Sequence, residues 1–130
     1  MPKVLLDTNL IIRFLLNDDP KKAMRVEKLL NNRTKSILIL DMVIAEIIWV
    51  LKSYYKFDKD LIIDKIRSLI HFHTVLCNSG LLDRVLTVWE QNNISFIDAY
   101  IVASAESDNL KIYSYDVKLD QIKTIKRIEP

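Results

Sequence analysis

Short apolar runs of strand type alternate with helix-periodic stretches along this 130-residue chain, and that alternation leaves few folds open. Lys3-Val4-Leu5-Leu6 is such a run and stops at Asp7. Ser36–Leu40, His73–Leu76, Lys111–Tyr113 and Thr124–Arg127 are the others. Between them the spacing predicts helices over Asn9–Leu16, Lys21–Leu30 and Gly80–Gln91. Asn17-Asp18-Asp19-Pro20 is a turn that places proline at the first position of the second helix, whose apolar face would be Ala23, Val26, Leu29 and Leu30. Asp41 can cap a helix running to about Tyr55. Asp58 can cap one that carries Leu61, Ile62, Ile66, Leu69 and Ile70, and Ser95 can cap one to about Ser107. Strands joined through helices pair in parallel. The expectation is an α/β fold: a three-layer α/β/α sandwich with a central, mainly parallel sheet of four or five short strands, in one domain over residues 1–130.

Composition narrows the chemistry. The chain is 50% hydrophobic and 28% charged, enough apolar surface for a real core. A net charge of +2 is too mild to announce a nucleic-acid protein and does not exclude one. With one glycine, Gly80, no glycine-rich phosphate loop of dinucleotide or Walker type can be built. A single cysteine, Cys77, excludes a disulfide framework and a thiolate zinc cluster. It fits the reducing cytoplasm, where the protein is expected. No apolar run reaches the ~18 residues of a membrane span, and no signal peptide opens the chain.

The acids fall where ligands bind in open α/β sheets, beyond the carboxyl ends of strands. Asp7 follows the first strand, and Asp116 follows Tyr113-Ser114-Tyr115 after the fourth. Glu46 has Met42, Val43, Trp49 and Val50 at helical spacing, and Asp98 has Ile94, Ile101 and Val102, which predicts inward faces for both. Burying a lone carboxylate costs several kcal/mol. Four such acids from four elements are most simply read as one shared site, with a divalent cation offsetting their repulsion. Each acid also has an ordinary reading. Asp7 can cap the helix that follows it, and Asp98 stands at capping-box spacing from Ser95. Glu46 can pair with Lys52 or Lys56, and Asp116 can be turn chemistry.

Other constellations are weaker. His71 and His73 lack a helical partner and read as structural or surface groups, and Cys77 reads as a small hydrophobe. No Gly-x-Ser-x-Gly elbow exists. The second aspartate of an aspartyl-phosphate phosphatase is replaced by Asn9.

Val4-Leu5-Leu6-Asp7-Thr8-Asn9, Glu46 within its helix, Phe96-Ile97-Asp98-Ala99 and Tyr113-Ser114-Tyr115-Asp116 together resemble the four motifs of a PIN domain. More narrowly, the chain resembles the VapC group of toxin ribonucleases, down to Asp18-Asp19-Pro20 and Glu46-Ile47-Ile48-Trp49-Val50-Leu51. Ile97 departs from the pattern, which often has a small or polar residue before the third acid. Asp120 competes with Asp116 as the fourth acid; Asp116 is favoured because it directly follows the strand.

The resemblance implies a metal-dependent endoribonuclease using Mg²⁺ or Mn²⁺, hard cations that suit an all-carboxylate site. It implies Asp7 and Asp98 as direct ligands, with Glu46 and Asp116 acting directly, through water or on a second ion. Thr8, Asn9 and Ser114 would hold carboxylates or the scissile phosphate. Arg13, Lys21, Lys22, Arg25, Lys52 and Lys56 can line the approach of RNA, and Tyr54, Tyr55, Tyr100 and Tyr115 can stack bases. By the same resemblance the partners are a second copy in a homodimer and a cognate VapB-like antitoxin. The competing readings are an RNA-processing PIN nuclease without an antitoxin and a catalytically silent PIN-like module that binds RNA or protein.

Overall fold

The computed structural model describes residues 2–130, which divide into two compact units, one up to Ser79 and the other Gly80–Pro130. In the first unit the order is β1 (Lys3–Leu5), α1 (Thr8–Leu16), α2 (Pro20–Leu30), β2 (Ser36–Leu38), α3 (Asp41–Ser53), α4 (Lys59–Ile70) and β3 (Val75–Leu76). The three strands form a parallel sheet in the order β1-β2-β3, with Val4 opposite Ile37 and Leu38 opposite Leu76. Each crossover is a helix pair, as parallel neighbours require. α1 packs on α2 and α3, and α3 packs on α4. Ile11, Leu30, Ile37, Ile44, Ile47, Ile62 and Ile66 are fully buried among them.

The second unit contains α5 (Ser79–Gln91, its first residue lying at the boundary), α6 (Phe96–Asp108), β4 (Ile112–Tyr113), a 3-10 turn over Val117–Gln121 and β5 (Arg127–Ile128). β4 and β5 pair in parallel, Ile112 opposite Arg127. The α/β class and the parallel pairing expected from the alternation are present, and the five strands sort into a three-stranded and a two-stranded sheet. Among the described residues no helix is long and apolar enough to cross a membrane.

The scarcity of glycine shows in the helix ends. Helices commonly close on a left-handed residue, usually glycine and sometimes asparagine. Here Asn17 (φ 52°) and Asn109 (φ 55°) close α1 and α6. Lys56 (φ 58°) takes the third left-handed position, where Phe57 N–H returns to Leu51 C=O. That reversal ends α3 at Ser53, short of the Tyr55 expected. Two capping expectations are corrected. Leu40, not Asp41, holds the N-cap position of α3, and Asp41 sits in the first turn, where its charge complements the helix dipole. Asp58 holds the N-cap position of α4 without a side-chain bond. Leu61 of α4 is exposed, its expected place on the apolar face taken by Ile63.

In the second unit the Arg84 guanidinium grips Glu106 with two bonds, Nε–Oε1 3.0 Å and Nη2–Oε2 2.8 Å, linking α5 to α6. That bond, with a smaller one from the Thr124 hydroxyl, holds the Glu106 carboxyl below its usual range. A depressed carboxylate contributes stability above its unfolded pKa and loses it as pH falls through the folded value. Arg84→Met is therefore expected to cost about 1 kcal/mol near pH 7, discounted for the half-exposed guanidinium. The difference should shrink as pH falls through the folded value and Glu106 takes up its proton. Urea unfolding of both proteins across a series of falling pH values measures it.

Candidate active site

Asp7 follows β1 in extended conformation and occupies the N-cap of α1, yet its side chain accepts no bond from the helix amides. It has the position of a cap without the cap interaction, and its carboxylate is exposed. Thr8, the first residue of α1, is buried and donates its hydroxyl to Glu46 Oε2 at 3.1 Å. That bond orients Glu46 from a different crossover connection.

Glu46 itself is exposed, which corrects the inward face expected for it. α3 is apolar on more than one side. Its buried face is Ile44, Ile47, Ile48 and Leu51, whereas Met42 (81% exposed) and Trp49 (67%) flank Glu46 on a second, outward stripe. Spacing alone does not tell the two stripes apart. Glu46 accepts from the Thr8 hydroxyl.

Asp7, Thr8, Asn9 and Arg13 from the start of α1 face Glu46, Val50, Tyr54 and Tyr55 from α3 and its end, across a cleft of about 370 Å³. Arg13 Nη1 is paired with Asp18 at 2.9 Å. A neighbouring depression between α1 and α2 is lined by Asn9, Leu10, Arg13, Lys22 and Arg25. Three of the expected approach cations therefore stand together, beside the acids. Lys52 is exposed on α3 and lines neither depression. Asn9 faces both without a described bond to a carboxylate.

The second unit holds the other two acids. Asp98 is the third residue of α6 and half-buried, beside the buried face of Phe96, Ala99, Val102 and Ala103. Its expected inward placement is thus only partial. Its amide donates to Ser95 Oγ at 3.0 Å, confirming Ser95 as the cap. No described bond uses its carboxylate, so half of a capping box is formed. Asp116 starts the 3-10 turn and accepts from the Lys118 amide through Oδ1 at 3.0 Å. The Ser114 hydroxyl accepts from the Asp116 amide at 3.0 Å, so Ser114 fixes the backbone of Asp116 rather than its carboxylate.

Asp120, the competing fourth acid, has both oxygens on Arg127, at 2.8 and 2.9 Å. The Arg127 guanidinium holds its carboxyl below the usual range. Arg127 also donates to the Ser114 carbonyl at 2.9 Å and to Glu129 at 3.0 Å. The sequence reading missed this cation; its signal was one arginine among Asp116, Asp120 and Glu129. Elsewhere in the first unit His73 stacks on Phe72 with ring centroids 4.6 Å apart, and the Cys77 thiol donates to the Ile70 carbonyl.

Among the described residues no three His, Cys, Asp or Glu side chains are grouped closely enough to hold a metal ion by themselves. What the first unit offers is a carboxylate pair with a hydroxyl beside it. Such an all-oxygen set fits Mg²⁺ or Mn²⁺, because Mg²⁺ usually keeps several waters and takes only one or two carboxylates.

Comparison with family models matches the PIN domain over residues 4–125. A similar solved structure is the crystal structure of VapBC2 from Rickettsia felis bound to a DNA fragment from their promoter. It is 18% identical, covers 99% of this chain and 98% of that one, and has a TM-score of 0.40. Comparison with curated proteins gives no match.

Proposed function

Because the chain belongs to the PIN-domain family, we propose that it is an endoribonuclease dependent on Mg²⁺ or Mn²⁺, and the toxin of a type II toxin–antitoxin pair. The observation that carries this reading is the exposed Asp7 carboxylate, placed at a helix cap it does not use and sharing one cleft with Glu46. A carboxylate freed from its structural task is available to a cation.

On this reading Asp7 and Asp98 bind the ion directly, and Glu46 and Asp116 complete its surroundings directly or through water. The bound ion supplies a water of lowered pKa and offsets charge on the phosphoryl oxygens. Thr8 holds Glu46 through one oxygen and leaves the other free to accept a proton or a water. Ser114 and the Lys118 amide fix Asp116 from both sides. Arg13, Lys22 and Arg25 offset the repulsion between an acidic cleft and a polyanion. The toxin assignment rests on the resemblance to the VapC group. It brings with it a homodimer in the cytoplasm and a VapB-like antitoxin. The exposed Leu10, Met24, Met42 and Trp49 of α1 to α3 are surface that such a partner can cover.

Incubating the purified protein with RNA and Mg²⁺ or Mn²⁺ tests the activity. Internal cleavage that stops on chelation is expected, with 5′-phosphate and 3′-hydroxyl ends, because water rather than the ribose 2′-hydroxyl attacks. A 2′,3′-cyclic phosphate product, or no metal-dependent cleavage of any RNA, would sink the proposal. The second result would favour the silent binding module.

A further inference from the structure

The cleft that holds Asp7 and Glu46 ends in an aromatic pair for which hydrolysis has no use. Tyr54 continues the helical path of α3 as its C-cap residue (φ −91°, ψ −50°), and Tyr55 lies edge-on to it with centroids 4.9 Å apart. Glu46, Val50 and Tyr54 are each four residues apart. One helix face therefore presents a carboxylate, an apolar patch and a ring at steps of about 6 Å. All three line the cleft, with Arg13 opposite. Tyr54 is 75% exposed, so it is not core, while Tyr55 behind it is half-buried and contacts Phe57.

We propose that Tyr54 is a stacking platform for a nucleobase next to the scissile phosphate. The inference rests on the nuclease reading above. With the scissile phosphate at the acids, the strand running along α3 carries a neighbouring base past Val50 onto the ring, and Arg13 meets the backbone on the other wall. A phenol ring receives any base, since every base has a π-face. In a duplex those faces are stacked on neighbouring pairs and cannot reach it.

The test is steady-state cleavage, in Mg²⁺, of a ten-nucleotide RNA alone and annealed to its complement, by wild type, Tyr54→Phe and Tyr54→Leu. Leucine keeps apolar bulk without a π-face, and the side chain is exposed enough for both variants to fold. Melting curves check that. Wild type is expected to cleave the single strand and spare the duplex. Tyr54→Leu should raise KM about tenfold with kcat within about twofold, the mark of lost uniform binding, and Tyr54→Phe should match wild type. An unchanged KM in Tyr54→Leu, or equal cleavage of duplex and single strand, overturns the platform while wild-type cleavage upholds the nuclease. The unchanged KM would leave Tyr54 to a protein-facing surface. A wild type that cleaves neither RNA overturns both.

Discussion

Asp7→Asn is expected to lower RNA cleavage by at least about a thousandfold while leaving the melting temperature within a few degrees of wild type. Asparagine is as good an N-cap as aspartate, so the substitution preserves whatever Asp7 does for the start of α1. Asp7 makes no cap bond in any case. What the change removes is one negative charge and one strong metal donor in the cleft. Cleavage assays with saturating Mn²⁺ and a thermal melt without metal separate the two roles. A variant that keeps its activity but melts far lower would return Asp7 to helix capping and leave the proposed site without its first ligand.

The second large effect should discriminate between Asp116 and Asp120. Asp116→Asn is expected to cost about a hundredfold in kcat. Its hydrogen bond from the Lys118 amide can be kept by the asparagine carbonyl, so the turn survives and the charge does not. Asp120→Asn should leave kcat within a few-fold, because that carboxylate is already committed to Arg127 through both oxygens. Its loss would appear as a modest drop in stability that narrows in acid. Asp120 is held below its ordinary pKa, so its contribution is present near neutrality and is lost as pH falls through the folded value. Parallel kinetics and melts on the two variants decide the matter. The reverse ranking of kcat would make Asp120 the fourth acid.

Elements legible in the sequence were those with one unambiguous cause. Pro20 at the first position of α2, Ser95 before α6 and the alternation of strand with helix all led to the observed structure. Boundaries were less legible, because the third left-handed position falls on a lysine, Lys56, where no propensity announces it. The four acids were singled out through the family motifs, and the inward face expected for Glu46 is not the one the structure gives it. α3 has two apolar stripes, and the one around Glu46 faces outward with Met42 and Trp49. Asp98 is only half-buried, so the shared-site argument from burial cost weakens there too. A better signal lay in what Asp7 and Thr8 do together, one giving up its cap and the other reaching across 38 residues to Glu46. Long-range bonds of that kind depend on topology, which a one-dimensional pattern does not contain.

The β1-β2-β3 order pairs only strands that are neighbours in sequence. Each pairing closes over a single helix pair, so the chain entropy is given up in two successive steps and no longer loop has to close first. Thr8 and Glu46 stand just beyond the first pair of strands, so the cleft of the first unit needs only β1 on β2 and α1 on α3 to take shape. Contacts this near in sequence are the feature that favours fast folding, and a parallel sheet seldom offers them.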